Sequence, residues 1–465
     1  MKKALTVILA IIFLIACIPV VVAAQDEELD DSVQTGSHSM DAQIPVLGTE
    51  QKIQNIKSAI LYEVSSDTLM YAWNADEQMA PASLTKILTA LIAVEKADLA
   101  AKITIKENVL NSVASDAVKS DIFAGEVLSL EDLLYFMLVD SGNNAAAVIA
   151  DYVAGSQELF VQEMNAYARS LGCTQTNFMN VHGLHDDNQY TTARDMGRIL
   201  AAASKSEKFC EIFGTVFHTV SGNNLVTKER QLATENALLN PEKGKAFYDE
   251  DVLGSRTGVD RNGYRCVASI AEKNDLRFVV IVMGAASDLK EYSGYLETSD
   301  LINLGGSGFK SYQLVYAGQV MKQAEVENGD CYVSLGAQKS VSTVLPSGVT
   351  LDDLAIKYDN LQPVFTAPID KGTVLSRVKY MYGSTCIAQI DLYALNSVSE
   401  KNVSVQIEQP QFKKESPWKT IIPMIIIVLS VLLALFITIR IYVFVVNRSQ
   451  KAQAHRRRGD RRRSK

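Results

Sequence analysis

Proline and glycine are too scarce to break this chain up: ten Pro and 26 Gly among 465 residues, with 48% hydrophobic positions, exclude wholesale disorder and a fibrous repeat. Cysteine is scarce too. Beyond Cys17, which lies in an N-terminal apolar run, the five are Cys173, Cys210, Cys266, Cys331 and Cys386, and none forms a CxxC pair, so no zinc or dithiol motif is present. An odd number leaves at least one unpaired, with Cys331 and Cys386 the candidate bridge. The length gives room for two or three domains with cores of their own, so a disulfide-stapled scaffold is excluded. Positive charge is the remaining shortage. Between Gln25 and Lys419, 33 Lys and Arg face 52 Asp and Glu, an excess of 19 negative charges that excludes nucleic acid as a partner of this segment.

The two ends have what the middle lacks. Lys2 and Lys3 precede an apolar run from Ala4 to Val22 that closes on Val22-Ala23-Ala24, the pattern of a secretory signal peptide over residues 1–24. Leu14-Ile15-Ala16-Cys17 has the letters of a lipoprotein cleavage box, but the apolar run continues past Cys17. Near the other end, Ile421 to Ile439 is free of charge and the run resumes after Arg440 to Val446, long enough to span a bilayer. Nine Lys and Arg follow within residues 448–465, and the positive-inside rule puts that tail in the cytoplasm and the acidic bulk outside.

Between these signals the pattern predicts an acidic tether over 25–49, then a β-hairpin from Ala59-Ile60-Leu61-Tyr62-Glu63-Val64 through Ser65-Ser66-Asp67 to Leu69-Met70-Tyr71-Ala72. Leu84, Ile87, Leu88, Leu91 and Ile92 recur at helical spacing after Pro81. A capping-box pair, Ser129 and Asp132, opens a second helix that breaks at Ser141-Gly142, and a third covers Ala145 to Ala154. Tyr264 to Ile270 and Arg277 to Met283 flank Lys273-Asn274-Asp275 as a second hairpin. From Ser311 onward strands alternate with turns.

Ser83-Leu84-Thr85-Lys86 starts a helix, where residues three apart share a face and the amine reaches the hydroxyl. The spacing recurs at Ser287, Ser307, Ser376 and Ser416, so alone it is weak. Ser141-Gly142-Asn143 is repeated by Ser221-Gly222-Asn223, which reads as a hairpin turn between Val216-Phe217-His218 and Leu225-Val226. Arg256-Thr257-Gly258 reads equally as a polar strand end. Order gives these motifs their weight. Ser83-x-x-Lys86, then Ser141-x-Asn143, then Arg256-Thr257-Gly258 resembles the penicillin-binding serine peptidases, specifically the low-molecular-mass D-alanyl-D-alanine carboxypeptidases. Asn180-Val181-His182-Gly183-Leu184, Thr191-Thr192-Ala193-Arg194-Asp195-Met196 and Val280-Ile281-Val282-Met283-Gly284 carry the same resemblance, as do Ala367-Pro368 and Lys371-Gly372 for a β-rich C-terminal module.

The resemblance implies an α/β (α+β) domain of the serine β-lactamase and penicillin-binding-protein type over 50–308, with an antiparallel sheet and a helical cluster. A small all-β domain over 309–410, one transmembrane helix over 421–446 and a basic cytoplasmic tail over 447–465 complete the chain. It implies that Ser83 attacks the carbonyl between the last two D-alanines of a peptidoglycan pentapeptide stem to form an acyl-enzyme, and that β-lactams acylate the same serine. Lys86 is then the base, Ser141 the proton relay and Asn143 the holder of Lys86 and of the substrate amide. The N–H groups of Ser83 and Val259 form the oxyanion hole. Arg256, Thr257, Gly258 and Val259 bind substrate, with Arg256 gripping the terminal carboxylate where the family has lysine. No metal or cofactor is implied. His182-x-x-His185 with Asp186 and Asp187 reads as a polar loop rather than a metal cluster, and a β-lactamase's Glu-x-x-Leu-Asn is missing between the second and third motifs. Arg256 is the one feature that favours a catalytically weak wall sensor of the same fold.

Overall fold

The computed structural model describes residues 53, 55–286, 292–401 and 418–460. The N-terminal apolar run, its Leu14-Ile15-Ala16-Cys17 box and the acidic tether lie outside them.

Strands β1 (Ser58–Glu63) and β2 (Thr68–Trp73) form the expected hairpin, turned by Asp67 at φ 53°. Five longer helices follow: α1 (Thr85–Lys96), α2 (Leu130–Leu138), α3 (Asn143–Ala154), α4 (Gln157–Ser170) and α5 (Ala193–Ala203). Their ends are set locally. The Ser129 hydroxyl accepts the Asp132 N–H at 3.0 Å, satisfying a donor that the first turn of α2 leaves open, and α3 stops at Gly155 in the left-handed conformation. A short hairpin, β3 (Phe217–Val220) with β4 (Arg230–Ala233), precedes β5 (Val252–Val259), β6 (Arg265–Lys273) and β7 (Leu276–Ala285), after which helix α6 runs from Tyr295 to Gly308.

The main sheet has the order β2-β1-β7-β6-β5 and is antiparallel throughout. Helices cover both faces. Ile60, Ile281, Cys266 and Ala268 pack with α1, α2, α3 and α5, whereas Leu61, Val280, Val282 and Val267 pack with α6. Double coverage explains why Val279 to Met283 is an unbroken apolar run, since neither face meets water. Strand β5 forms one edge of the sheet, so one of its rows of backbone donors and acceptors is left without a strand partner.

One expected hairpin is corrected. Leu225-Val226 is not the partner of Phe217-His218; that strand is Arg230–Ala233, and Ser221-Gly222-Asn223-Asn224 belongs to a longer loop. The loop is held from outside the hairpin: Asn223 Nδ2 donates to Glu126 Oε1 at 2.5 Å and Asn224 Oδ1 accepts the Val127 N–H at 2.8 Å.

Helix α6 leads straight into β8 (Phe309–Val315), whose Phe309 is buried in the core shared with α6. The strands that follow are β9 (Val320–Glu327), β10 (Val333–Gly336), β11 (Val341–Pro346), β12 (Ala355–Asp359), β13 (Val364–Thr366), β14 (Val374–Tyr382) and β15 (Thr385–Ala394). They make a six-stranded sheet in the order β12-β14-β15-β10-β9-β13, with β8 and β11 paired separately, around a core that includes Val315, Leu335, Val378 and Leu392. The candidate bridge is corrected too. Cys331 is exposed and Cys386 half-buried on β15, and all five cysteines of the described residues are free.

Residues from Asn402 onward form a separate unit. Its helix α7 spans Trp418–Asp460, and Ile421–Phe444 is long and apolar enough to cross a membrane.

Candidate active site

A cleft of about 450 Å³ opens where the N-terminal end of α1, the loop between α2 and α3, and the end of the edge strand β5 converge. Ser83, Ser141, Asn143, Thr257, Gly258 and Val259 all line it. Lys86 and Arg256 stand behind that lining, both buried.

Ser83 sits in a single 3₁₀ turn, Ala82–Leu84, ahead of α1. The turn is held open in an uncommon shape, with Ala82 at φ 46° and its carbonyl accepting Thr85 Oγ1 at 2.8 Å. Three residues on, Lys86 Nζ donates to Ser83 Oγ at 3.1 Å and to the His182 carbonyl at 2.9 Å. Both acceptors are neutral. Burial, helped by the positive charge of Arg256, pushes the Lys86 amine well below the usual lysine range, which shifts it toward the neutral base form.

Arg256 departs from its sequence-based assignment. Its two terminal nitrogens donate to the Leu138 carbonyl and to Ser141 Oγ, each at 2.6 Å, and no part of it lines the cleft. Burial lowers its pKa to about 10, with Asp140 opposing the shift, and it stays a cation at neutral pH. Asn143 is also placed differently. It begins α3, donates its N–H to the Val118 carbonyl at 3.0 Å and faces the cleft, while the acceptor expected of it for Lys86 is supplied by His182. Ser141 takes a left-handed φ of 67°, which turns its hydroxyl toward Arg256.

Two glycines allow the close approach. A Cβ on Gly258 would lie 2.5 Å from the Ser83 nitrogen, and one on Gly183, at φ +90°, would lie 1.8 Å from the Ala82 carbonyl oxygen. The strand end and the His182-Gly183 segment therefore clamp the Ser83 turn from two sides. In the sequence His182-Gly183 is part of a phrase that resembles the family, and only the glycine points to this work. Asn144 was missed outright. It bonds the backbone of Ser120 through both ends of its amide at 2.9 Å, fixing the loop that carries Ser141.

The other Ser-x-x-Lys copies among the described residues lack this setting. Ser307 Oγ donates to its own helix at Asn303, Ser376 Oγ donates to the Asp359 carbonyl, and Ser287 and Ser416 lie outside the described residues. His185 pairs with Asp187 at 3.0 Å on the cleft rim, and among the described residues no group of His, Cys, Asp or Glu is placed to hold a metal ion. A serine hydroxyl facing open space, with an amine disposed to be neutral directly behind it, is an arrangement for nucleophilic attack on an acyl carbon.

Residues 47–287 match the family model described as D-alanyl-D-alanine carboxypeptidase, and residues 309–400 match that of the penicillin-binding protein 5 C-terminal domain. The D-alanyl-D-alanine carboxypeptidase DacC of Escherichia coli is 31% identical over 354 residues, covering 73% of this chain and 84% of its own. DacF of Bacillus subtilis is 29% identical, covering 70% and 82%. The crystal structure of penicillin-binding protein 5 from Haemophilus influenzae superposes with a TM-score of 0.66 at 27% identity, covering 76% of this chain and all of that one.

Proposed function

The chain belongs to the D-alanyl-D-alanine carboxypeptidase family of serine hydrolases, and from that premise we propose that it trims the terminal D-alanine from peptidoglycan stem pentapeptides through an acyl-enzyme on Ser83. The observation that carries this reading is the 3.1 Å contact between Ser83 Oγ and a buried Lys86 amine bonded only to neutral oxygens. Lys86 takes the hydroxyl proton as Ser83 Oγ attacks the carbonyl between the last two D-alanines. The negative charge that develops on the carbonyl oxygen is met by the N–H groups of Ser83 and Val259, where the edge of β5 passes the 3₁₀ turn; a donor of this kind contributes about 3 kcal/mol. Ser141, held by Arg256, passes a proton to the departing amine. Water then attacks the acyl-enzyme and restores the serine. β-Lactams acylate the same oxygen.

Helix α7 serves as the membrane anchor, with the acidic bulk outside the cytoplasm and the arginine-rich end inside, in keeping with the apolar span Ile421–Phe444 and the charge on either side of it. A second reading, a wall sensor that binds penicillin but turns over poorly, draws on Arg256 standing where the family has lysine.

Fluorescent penicillin and an N-acylated pentapeptide, applied to the full chain in detergent, test both readings. The carboxypeptidase reading requires labelling and release of D-alanine, both lost in Ser83→Ala. Labelling without release supports the sensor, and an adduct on a different serine overturns the assignment of Ser83.

A further inference from the structure

The direction of a peptide bound in the cleft follows from the groups around Ser83. The N–H groups of Ser83 and Val259 receive the reacting carbonyl, and the departing amine lies toward Ser141, whose hydroxyl Arg256 bonds at 2.6 Å. The leaving residue therefore sits at the level of Arg256 and Thr257. The donor stem runs the other way, past Val259, where β5 ends, and along the turn that begins at Asp260. An extended peptide laid against a strand edge advances about 3.3 Å per residue, so the third and second stem residues come beside Asp260 and Arg261.

That turn is built to hold its shape. The Asp260 N–H donates to the Tyr264 carbonyl at 2.9 Å, Asp260 Oδ1 accepts the N–H groups of Asn262 and Tyr264 at 2.9 Å each, and Lys57 Nζ stands 3.5 Å above the Tyr264 ring. Arg261 lines the cleft from this turn with its side chain 58% exposed. Its Nη1 donates to His185 Nε2 at 2.6 Å and pairs with Asp187 Oδ1 at 3.1 Å. The segment that supplies these partners is itself braced: Asn180 Oδ1 accepts the Gly183 N–H at 2.7 Å, and the buried Gln189 accepts the Met179 N–H at 3.0 Å. One corner of the guanidinium is thus anchored across the cleft mouth. Among the described residues Arg261 Nη2 and Nε have no hydrogen-bond partner, and these two nitrogens form one edge of the planar fork. An anchored fork with a free edge matches a carboxylate through two parallel hydrogen bonds.

The second residue of a peptidoglycan stem is a D-glutamate joined to the third through its side-chain carboxyl, which leaves its α-carboxylate free. We propose that Arg261 binds this α-carboxylate, with His185 and Asp187 as positioning residues, and makes the enzyme prefer stems that carry it to stems in which it is amidated. The inference rests on the carboxypeptidase reading of the cleft and concerns the donor side of the scissile bond.

The test uses the full chain in detergent and three peptides: L-Ala-γ-D-Glu-L-Lys-D-Ala-D-Ala, the same pentapeptide with the glutamyl α-carboxylate amidated, and N-acetyl-L-Lys-D-Ala-D-Ala, which ends before the second residue. Lysine at the third position keeps a second side-chain carboxylate out of the comparison. Release of D-alanine is read as kcat/KM per penicillin-labelled site. Wild type prefers the acid pentapeptide to the other two. Arg261→Gln lowers kcat/KM for that peptide on the order of 10-fold, chiefly through KM, and lowers the other two less, so the three converge. Arg261→Lys recovers part of the preference. Wild type that does not distinguish acid from amide, a preference that survives Arg261→Gln, or equal losses on all three peptides each overturn the proposal with the carboxypeptidase reading intact. Wild-type protein that labels with penicillin but releases D-alanine from none of the three overturns that reading and the proposal with it.

Discussion

A lysine amine that carries its proton cannot accept another from serine, so the behaviour of Lys86 turns on what lowers its pKa. Desolvation comes first and the charge of Arg256 second. Removing that charge eases protonation of Lys86, so Arg256→Gln shifts the acid limb of the penicillin acylation rate to higher pH and slows acylation at neutrality. Arg256→Lys retains the charge, leaves the limb where it is, and preserves or raises D-alanine release. Second-order acylation rates measured across pH decide this, and a limb unmoved in Arg256→Gln contradicts it. His182 behaves in a related way. Burial pushes its imidazole from 6.5 down to about 4. Between those values the unfolded chain binds a proton that the folded chain refuses, so stability falls as pH falls through this window, by on the order of 3 kcal/mol in total. His182→Gln keeps the carbonyl that Lys86 uses and removes this dependence, which urea unfolding at pH 7 and pH 4 measures.

Elements in this protein are locked together at points where one atom more is too many. Gly258→Ala pushes a methyl group against the backbone of the Ser83 turn, 2.5 Å from its nitrogen and 2.9 Å from Ala82 Cβ, and one of the two must move. A displacement of that size at a reacting group lowers acylation on the order of 100-fold, read by the rate of penicillin labelling at constant folded fraction. A labelling rate within a few-fold of wild type would show that the strand end does not set the position of Ser83. The β3–β4 hairpin is secured differently. Arg230 on β4 pairs with Glu126, which is wholly buried, and stacks over the Phe136 ring at 4.9 Å. Arg230→Met leaves that carboxylate without its counter-ion and destabilises the domain by about 3–5 kcal/mol, and adding Glu126→Leu restores most of it. Chemical denaturation of the two variants separates the pair from the packing around it.

At the scale of the whole chain, charge and hydropathy set the expected topology. The acidic stretch before Lys419, the apolar span Ile421–Phe444 and the basic segment after it predict that protease added to intact cells removes the ectodomain and spares the arginine-rich end. Digestion of that end in intact cells contradicts the orientation. The full-length protein should also sediment with membranes at high salt, whereas a chain ending before Ile421 should not.

Short-range features were legible in the sequence because their physics is short-range. The Ser129 cap, the β1–β2 hairpin, the apolar span and the three-residue step from Ser83 to Lys86 each follow from neighbours a few positions apart. What the sequence left open was settled between distant segments. Five Ser-x-x-Lys copies look alike in one dimension, yet among the described residues only Ser83 has its lysine buried beside an arginine 170 positions on. Arg256 and Arg265 both belong to the strand pair β5 and β6, and its register puts them on opposite faces of the sheet. Side chains alternate faces at every residue, so the partner strand's register, set by packing against α6 on one side and the helices on the other, decides which arginine lines the cleft and which lies buried behind it.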